Sequence, residues 1–296
     1  MIPFTKMQGI GNDYIYIDGF AHHVADPVTM AQRIADRHFG VGGDGLILVL
    51  PPESSVAAHV RMRMFNADGS ESEMCGNGIR CVCKFAHDRG LATANPMRIQ
   101  TGAGVLELAY TVDDRGKVNR VTVDMGKPAL DLKSIPVDAR ALAFSGINYH
   151  YGIEVDEGDG VFTGVFVSMG NPHIVLFADE NKALLGSGVK AFDLARWGAL
   201  IERHPAFPRR VNVHVVEIHS RSELTMRTWE RGSGITLACG TGAAAVCVAA
   251  ALTNRADRDV LIHLPGGDLS LRWDEKTDHV FKTGPAVEVF TGVWPE

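Results

Sequence analysis

Short runs of residues that alternate between apolar and polar, or are apolar throughout, follow one another along the chain and are bounded by Gly, Pro and Asn. Alternation is typical of a strand with one buried face, and a short, wholly apolar run is typical of a strand buried on both faces. Clear cases are HVRMRMF (59–65), GVFVSM (164–169), NVHVVEI (212–218) and ELTMRTW (223–229). The pattern predicts a strand-rich protein.

Two segments have a helical pattern instead. The segment GAAAVCVAAAL at 242–252 is apolar on every face, which a helix enclosed by the rest of its domain requires. The other helix is predicted at about Asn77 to Arg89, and its buried side carries Ile79, Val82, Cys83, Phe85 and Ala86. We therefore expect an α+β fold in which a strand-rich, barrel-like sheet wraps around a central helix.

The two helices lie in two copies of one unit. RMFNADGSESEMCGNGIRCVC (63–83) and RTWERGSGITLACGTGAAAVC (227–247) align without a gap, and this alignment places Cys75 on Cys239 and Cys83 on Cys247. Gly76 and Gly78 fall on Gly240 and Gly242, and with a slightly different offset Gly11-Asn12 matches Gly170-Asn171. The repeat predicts two pseudo-symmetric lobes. We place the first lobe at residues 1–120 with 285–296 and the second at 121–284, with the active site in the cleft between them.

Composition narrows the class of protein. Hydrophobic residues make up 46% and charged residues 22%, as in ordinary globular chains. The net charge of −6 and the lack of a dense Lys/Arg run argue against a nucleic-acid partner. No apolar run approaches the length of a membrane span, and the N-terminus lacks the pattern of a secretory signal. Five cysteines, an odd number, suggest free thiols, so we expect a cytoplasmic protein with no membrane partner.

Cys75 and Cys239 each precede a glycine-rich turn at the predicted start of a helix. The first amides of a helix lack intrahelical partners and carry partial positive charge, which attracts anions. A thiol at this position is expected to have a lowered pKa and to act as a base near neutral pH. The adjacent glycines allow the backbone amides to approach a bound carboxylate. A proton-transfer thiol and a carboxylate site are therefore predicted together, twice.

Two such thiols facing one substrate carbon would invert its configuration. One thiolate removes the α-hydrogen, the opposite thiol delivers a proton, and the helix N-termini stabilise the charge that develops on the carboxylate. The scheme needs no pyridoxal phosphate (PLP), and the sequence contains no dedicated signature for this or another cofactor.

Other hypotheses remain at this stage. Cys75, Cys81, Cys83 and His87 could suggest zinc, although their spacing does not form a closed tetrahedral set, so no metal is expected. A Cys/His hydrolase could use His38, His87, His173 or His204 as its base. However, a hydrolase needs only one nucleophile. A non-catalytic amino-acid-binding protein is the remaining alternative. The Gly-rich strings GIGND and GVGGDG do not complete a nucleotide-binding motif and are interpreted as turns.

Taken together, the motifs resemble those of the diaminopimelate epimerase family, PLP-independent enzymes with two active cysteines. The resemblance spans nearly the whole chain and rests on KMQGIGNDY (6–14), FNADGSESEMCGNGIRC (65–81), MGNPH (169–173), FPRRVNV (207–213), WERGSG (229–234) and ACGTGA (238–243). It implies epimerisation of LL-2,6-diaminopimelate to the meso form, in lysine and peptidoglycan precursor synthesis, by a cofactor-independent homodimer. The alternative within the same fold is a proline or hydroxyproline racemase.

The resemblance also implies roles for individual residues. Cys75 and Cys239 match the two proton-transfer thiols, with Cys75 the donor and Cys239 the acceptor in one direction. The positions whose backbone amides hold the carboxylate are matched by Gly76, Asn77, Gly240 and Thr241. Positions that bind other polar groups of the substrate are matched by Asn12, Asn66, Asn171, Asn212, Glu230 and Arg231. His173 and Glu230 match residues that tune the site.

Three positions depart from the usual family pattern. Ile235 stands where many members have an acidic residue, Gly45 where some have Gln, and Arg209 where Glu is common. Neither cysteine is affected, so the chemistry is expected to survive and substrate preference is the property these positions put in question.

Overall fold

The computed structural model describes residues 1–146, 149–155, 160–182, 186 and 188–295. It divides into two compact units. The first unit comprises Met1–Asp124 and Thr283–Glu296, and the second comprises Met125–Lys282.

The first unit is built from strands and two helices. Its strands are β1 (Ile2–Gly9), β2 (Asn12–Asp18), β3 (Gly45–Leu50), β4 (Val60–Asn66), β5 (Glu71–Ser72), β6 (Met97–Thr101), β7 (Gly104–Val112), β8 (Val118–Asp124) and β19 (Val287–Trp294). Its helices are α1 (Pro27–Ile34) and α2 (Gly78–Asp88). The chain divides between the units within a further strand, β18 (Val280–Pro285).

The second unit has the same kind of composition. Its strands are β9 (Phe144–Ser145), β10 (His150–Glu154), β11 (Val161–Ser168), β12 (Pro172–Phe177), β13 (Asn212–Ser220), β14 (Glu223–Glu230), β15 (Gly234–Thr236), β16 (Asp259–Leu264) and β17 (Gly267–Trp273). Among its described residues are also a 3₁₀ turn at Ala139–Ala141 and the helices α3 (Leu194–Glu202) and α4 (Gly240–Leu252).

Strand pairing follows one scheme in both units. In the first unit, β1–β2, β3–β4 and β6–β7 pair antiparallel, whereas β2–β3 and β4–β6 pair parallel. The second unit repeats the scheme with β11–β12, β13–β14 and β16–β17 antiparallel, and β12–β13 and β14–β16 parallel. The turns that open both schemes place Gly11 at φ +87° and Gly170 at φ +88°, a region that favours glycine. The structure therefore confirms the repeat predicted from the sequence.

A single helix packs at the centre of each unit. Helix α2 contacts β1, β2, β3, β4, β7 and β8, and helix α4 contacts β11, β12, β13, β16 and β17. The structure buries the apolar side predicted for α2, and it buries α4 on every face from Gly242 to Ala250. Each unit is thus a strand-rich sheet wrapped around a helix, as expected. Of the described helices, none has the length and apolarity that a transmembrane span requires.

Candidate active site

Cys75 lies in the turn that leads into α2. The backbone N–H of Gly78 donates to its sulfur at 3.3 Å, and the N–H of Ile79 donates to its carbonyl oxygen at 2.9 Å. Two amides at the start of the helix, which have no partner inside it, are therefore satisfied by this one residue. The Cys75 side chain is half-buried, so its sulfur is packed against the helix start but not sealed off.

The hydrogen bonds of Asn12 link Cys75 to the Asp44 carboxylate. The Asp44 carboxylate can only accept, so it takes the Asn12 Nδ2–H at 2.5 Å. This leaves the Asn12 Oδ1 facing Cys75, where it accepts from the Sγ–H at 3.1 Å. Cys75 thus donates to Asn12, while its sulfur accepts from the Gly78 amide.

Ionic contacts fix the carboxylate behind Asn12. Arg37 donates to Asp44 at 2.9 Å and to Asp13 at 2.8 Å, and Lys6 lies 2.6 Å from Asp13. Burial alone would raise the pKa of Asp13, but the hydrogen bonds and charges of Arg37 and Lys6 outweigh it and lower the pKa below its ordinary value. The network keeps the pKa of Asp13 low and holds the Asp44 carboxylate in place, and so preserves the orientation of Asn12.

A buried arginine fixes the turn that follows Cys75. Arg80 Nη1 donates to the carbonyl oxygen of Gly76 at 3.2 Å and to the Asn77 Oδ1 at 2.9 Å, and Nε donates to the carbonyl oxygen of Pro285 at 3.1 Å. The Asn77 side chain is buried in this contact. Asn77 therefore contributes its side chain to the turn, which is consistent with the expectation that only its backbone amide would meet a substrate.

Cys239 occupies the corresponding place in the second unit but is much more enclosed. It is the N-cap of α4 and only 3% exposed, and its sulfur lies 3.6 Å from the Thr241 hydroxyl oxygen. Burial, with the nearby Glu230 carboxylate, raises the pKa of Cys239 to about 12. The expectation of a lowered pKa is wrong for Cys239 here, because desolvation and a like charge outweigh the Thr241 hydroxyl and the Gly242 amide.

Glu230 ends β14 beside this cysteine, and Arg231 follows the strand. The Thr236 hydroxyl donates to Glu230 Oε1 at 2.6 Å, and burial raises the pKa of Glu230. Arg231 is exposed, and its Nη1 donates to the carbonyl oxygen of Arg209 at 3.1 Å. Glu230 is thus turned inward against the thiol, while Arg231 leaves most of its guanidinium accessible.

The second unit also brings together Asn171 and His173, which the sequence singled out. Asn171 Nδ2 donates to the Thr241 hydroxyl oxygen at 3.4 Å, and Asn171 Oδ1 lies 2.8 Å from His173 Nε2. His173 Nδ1 lies in turn 2.9 Å from His214 Nε2. Both imidazoles are fully buried.

Asn66 and Asn212 make mainly local contacts. Asn212 is buried, its Nδ2 donates to the carbonyl oxygen of Pro172 at 2.9 Å, and its Oδ1 accepts from the Arg231 amide at 3.0 Å. Asn66, at the end of β4, donates to the Ser70 hydroxyl oxygen at 2.9 Å and remains half-exposed. Asn212 therefore ties strands together, whereas Asn66 keeps free hydrogen-bonding capacity.

Comparisons with known proteins decide the family. The Diaminopimelate epimerase family model matches residues 4–130 and 165–289. Diaminopimelate epimerases from Desulfovibrio desulfuricans and Acetivibrio thermocellus are 48% and 47% identical, each over 98% of this chain and 97% of the relative. One from Methanococcus maripaludis is 44% identical over 98% of this chain and 99% of its own length. The chain belongs to the diaminopimelate epimerase family. The resemblance stated from its motifs is confirmed.

Solved structures with the same fold are more distant from this family member. A phenazine biosynthesis protein of the PhzF family from Bacillus anthracis superposes with a TM-score of 0.66 at 17% identity, covering 98% of both chains. A probable proline racemase from Agrobacterium radiobacter superposes with a TM-score of 0.65 at 14% identity, covering 100% of this chain and 93% of the other. At these identities the likeness shows the shared fold alone.

Several residues beside the family's motif residues escaped the sequence reasoning. Asp44, Arg80, His214 and Thr228 all contact predicted site residues or their partners. Glu202 is a fifth: it accepts from the Trp229 indole N–H at 2.7 Å and from the Gly232 amide at 3.0 Å. His214 and Thr228 had a usable signal, because they lie two residues from Asn212 and from Glu230 in their strands and so share the faces of those residues.

The departures from the family pattern have different structural weight. A Cβ atom at Gly45 would clash with the carbonyl oxygen of Phe65 on the paired strand β4, so this backbone requires glycine. Ile235 is 49% exposed on β15, and the carbonyl oxygen of Arg209 accepts a hydrogen bond from the Arg231 guanidinium.

Cys81 and Cys83, considered as metal ligands, are both buried. No group of three or more His, Cys, Asp and Glu within the described ranges could hold a metal ion.

Proposed function

We propose that this chain interconverts LL-2,6-diaminopimelate and meso-diaminopimelate, the step that serves lysine and peptidoglycan precursor synthesis. Relatives named diaminopimelate epimerase match this chain over nearly their whole length, which supports diaminopimelate as the substrate. The observation that carries the mechanism is the duplicated thiol. Cys75 and Cys239 each sit at the start of the central helix of their unit, and a glycine-containing turn follows each of them.

The chemistry is a two-base proton transfer at the α-carbon, without PLP. The thiolate of one cysteine takes the α-proton, and the electron pair left on carbon delocalises into the carboxylate. The thiol of the other cysteine then gives its proton to the opposite face, so the carbon is inverted and the two sulfurs exchange protonation states. The reverse reaction uses the same groups with their roles exchanged. The hydrogen bond from Cys75 to Asn12 supports Cys75 as the initial proton donor.

The substrate contacts follow the family's motif positions. We propose that backbone amides at the two helix starts bind the reacting carboxylate, where partial positive charge stabilises the intermediate. These are the amides of Gly76, Asn77, Gly240 and Thr241. Polar side chains bind the remaining groups, including the distal amino-acid head: Asn12, Asn66, Asn171, Asn212, Glu230 and Arg231. Glu230 and Arg231 offer one negative and one positive partner, as an ammonium and a carboxylate require.

Solvent isotope incorporation tests this function. Purified protein in D2O, without added cofactor, should introduce deuterium at the α-carbon of LL-diaminopimelate while the meso form accumulates. Proline and hydroxyproline serve as matched substrates, because they carry an α-hydrogen and a carboxylate but no second amino-acid head. Exchange of the proline substrates with diaminopimelate left untouched would replace this proposal with the racemase alternative.

We also propose a homodimer. Apolar side chains line one stretch of β19, where Val287, Val289, Phe290 and Val293 are each 40–55% exposed. A contiguous apolar strand of this kind is costly to leave in water and suits a second copy of the chain. Sedimentation should give twice the chain mass, and Val289→Lys should shift the protein toward monomer. A monomeric wild-type protein would contradict the dimer.

A cytoplasmic location agrees with this chemistry. All five cysteines are free, and the mechanism requires Cys75 and Cys239 to remain thiol or thiolate. A compartment that keeps thiols reduced satisfies this requirement. Cell fractionation locates the protein directly, and recovery outside the reducing compartments would contradict this expectation.

A further inference from the structure

A continuous chain of side-chain contacts leads from β14 to Cys239 within the second unit. Thr228 and His214 face each other on paired strands, with the Thr228 hydroxyl 3.0 Å from His214 Nδ1. His214 Nε2 lies 2.9 Å from His173 Nδ1, and His173 Nε2 lies 2.8 Å from Asn171 Oδ1. Asn171 then reaches Thr241 at 3.4 Å, and Thr241 reaches Cys239 at 3.6 Å.

Both histidines in this chain are neutral. Burial lowers the pKa of His214 to about 3. Burial lowers the pKa of His173 well below its usual range, and protonation there would also be opposed by the neighbouring His214 ring, were it charged, and by the Arg231 guanidinium. A neutral imidazole carries one N–H and one bare nitrogen, so each ring can donate on only one side and must accept on the other.

Asn171 determines which nitrogen carries the proton. Its Nδ2 donates to Thr241, so its Oδ1 faces His173 and can only accept. His173 therefore carries its proton on Nε2 and accepts at Nδ1, which requires a donor at His214 Nε2. With its proton on Nε2, His214 accepts at Nδ1, and the donor there is the Thr228 hydroxyl. Each hydrogen bond between Thr228 and Asn171 is then donated in the direction of Asn171.

The same direction continues to the sulfur. The Thr241 oxygen accepts from Asn171, which leaves its hydroxyl proton for Cys239. Hydrogen bonds that run in one sense polarise one another, so the distal groups strengthen the donor at the end. The backbone of α4 packs closely against the His214 ring, because a Cβ atom at Gly242, on the first turn of the helix, would clash with this ring.

We propose that His214 and Thr228 are positioning residues for the reaction, which hold His173 as its Nε2–H tautomer so that Asn171 and Thr241 present a hydroxyl donor to the thiolate of Cys239. The inference rests on the proposed function of Cys239 as a proton-transfer thiol. It gives the two sulfurs different side-chain partners. Cys75 donates to the Asn12 side chain, whereas the Thr241 hydroxyl donates to Cys239 and so favours its thiolate.

Other groups around Cys239 oppose the effect of the Thr241 hydroxyl on the thiolate. Burial and the Glu230 carboxylate disfavour the thiolate, and the Gly242 amide assists Thr241 in favouring it. The positive charge of Arg231 also affects this row of side chains, because it lowers the pKa of His173. Burial and Glu230 already oppose ionisation of Cys239. Loss of the hydroxyl donor of Thr241 should therefore make Cys239 harder to ionise and the reaction slower.

The tautomers can be measured directly in the wild-type protein. In a sample with ¹⁵N-labelled histidine, His173 and His214 should each show a protonated Nε2 and a bare Nδ1, unchanged between pH about 6 and about 9. Their assignment uses His173→Gln and His214→Gln spectra. An Nδ1–H tautomer at either residue would reverse the direction of the chain and overturn the proposal.

A matched pair of variants tests the effect on the reaction. Thr228→Val removes the hydroxyl at nearly constant volume, whereas Thr228→Ser retains it. We expect Thr228→Val to lower kcat about tenfold with KM changed less than about twofold, and to move the alkaline rise of kcat/KM upward by about one pH unit. Thr228→Ser should restore most of the rate.

Equal losses in both Thr228 variants, or a loss without a shift of the pH profile, would mean that Thr228 matters only for packing and would overturn the proposal. The function is tested separately, by the wild-type protein. If it fails to exchange the α-hydrogen of diaminopimelate, the proposed function is wrong whatever the tautomers are. If it exchanges that hydrogen while Thr228→Val behaves as wild type, only the positioning chain is wrong.

Discussion

At the scale of single residues, burial decides much of the chemistry that sequence position could not. The sequence placed Cys75 and Cys239 at equivalent positions, yet Cys75 is half-buried beside Asn12 and Cys239 is enclosed beside Glu230. A helix start favours a thiolate in general, but the enclosure of Cys239 depends on strands distant in sequence. The placement of the two thiols at helix starts was therefore predictable, and their different burial was not.

Buried titratable groups also predict how stability depends on pH. Unfolded histidine binds a proton below about 6.5, whereas folded His214 does so only near 3, so the unfolded state binds more protons in this interval. Stability should fall as the pH drops from about 6.5 toward about 3.

The buried thiols affect stability at alkaline pH. Folding raises the pKa of Cys81 from 9.0 to about 11 and those of Cys83 and Cys247 to about 12.

Since the folded state keeps these thiol protons after the unfolded state has lost them, stability should also fall as the pH rises from about 9 toward about 12. Thermal unfolding across this range measures both limbs. Cys247→Ala, which removes one buried thiol and a small packing volume, should make the alkaline fall of Tm shallower. A Tm that is constant above pH 9 would contradict the assignment of these thiols to the core.

At the scale of elements, the hydrophobic pattern was sufficient for the central helices. The prediction of a helix at about Asn77 to Arg89 compares with Gly78–Asp88 in the structure, and the apolar run at 242–252 lies inside Gly240–Leu252. The hydrogen bonds around them were not predictable. Arg80 reads as a surface residue in the sequence, but its guanidinium is buried against the turn at Gly76 and Asn77. Such contacts depend on three-dimensional neighbours.

Gly45 offers a test of how one strand positions another. Gly45 pairs with Asn66 on β4, and any side chain at position 45 would clash with the Phe65 carbonyl. We expect Gly45→Gln, which introduces a long side chain at this position, to force β3 and β4 apart. Overpacking of this kind costs about 1–3 kcal/mol.

The cost should appear in chemical denaturation, and KM for diaminopimelate should rise because Asn66 is displaced. Gly104→Gln is the matched control, since nothing lies within 4 Å of a Cβ atom at that position, which is also a glycine with positive φ on a strand. Equal stability of Gly45→Gln and the wild type would show that the strands adapt without strain.

At the scale of the whole molecule, duplication explains why so much could be predicted. Two copies of one strand order, each with its own central helix and cysteine, repeat the same signals in the sequence, and motifs that match at a constant offset expose them. The copies differ where the proposed chemistry needs them to differ. Asn12 contacts its cysteine directly, whereas Asn171 acts through Thr241. The proposed inversion requires one acid and one base, and the different side-chain partners of the two sulfurs distinguish them.

The central claim is that one proton-transfer thiol comes from each copy of the repeat. The most direct measurement is deuterium incorporation at the α-carbon of LL-diaminopimelate, with formation of the meso isomer, in single cysteine variants. Cys75→Ala and Cys239→Ala should each abolish inversion, while Cys83→Ala, which alters a buried core thiol of α2, should keep turnover close to that of the wild type. Inversion that persists in either active-site variant, or an equal loss in all three, would contradict the account.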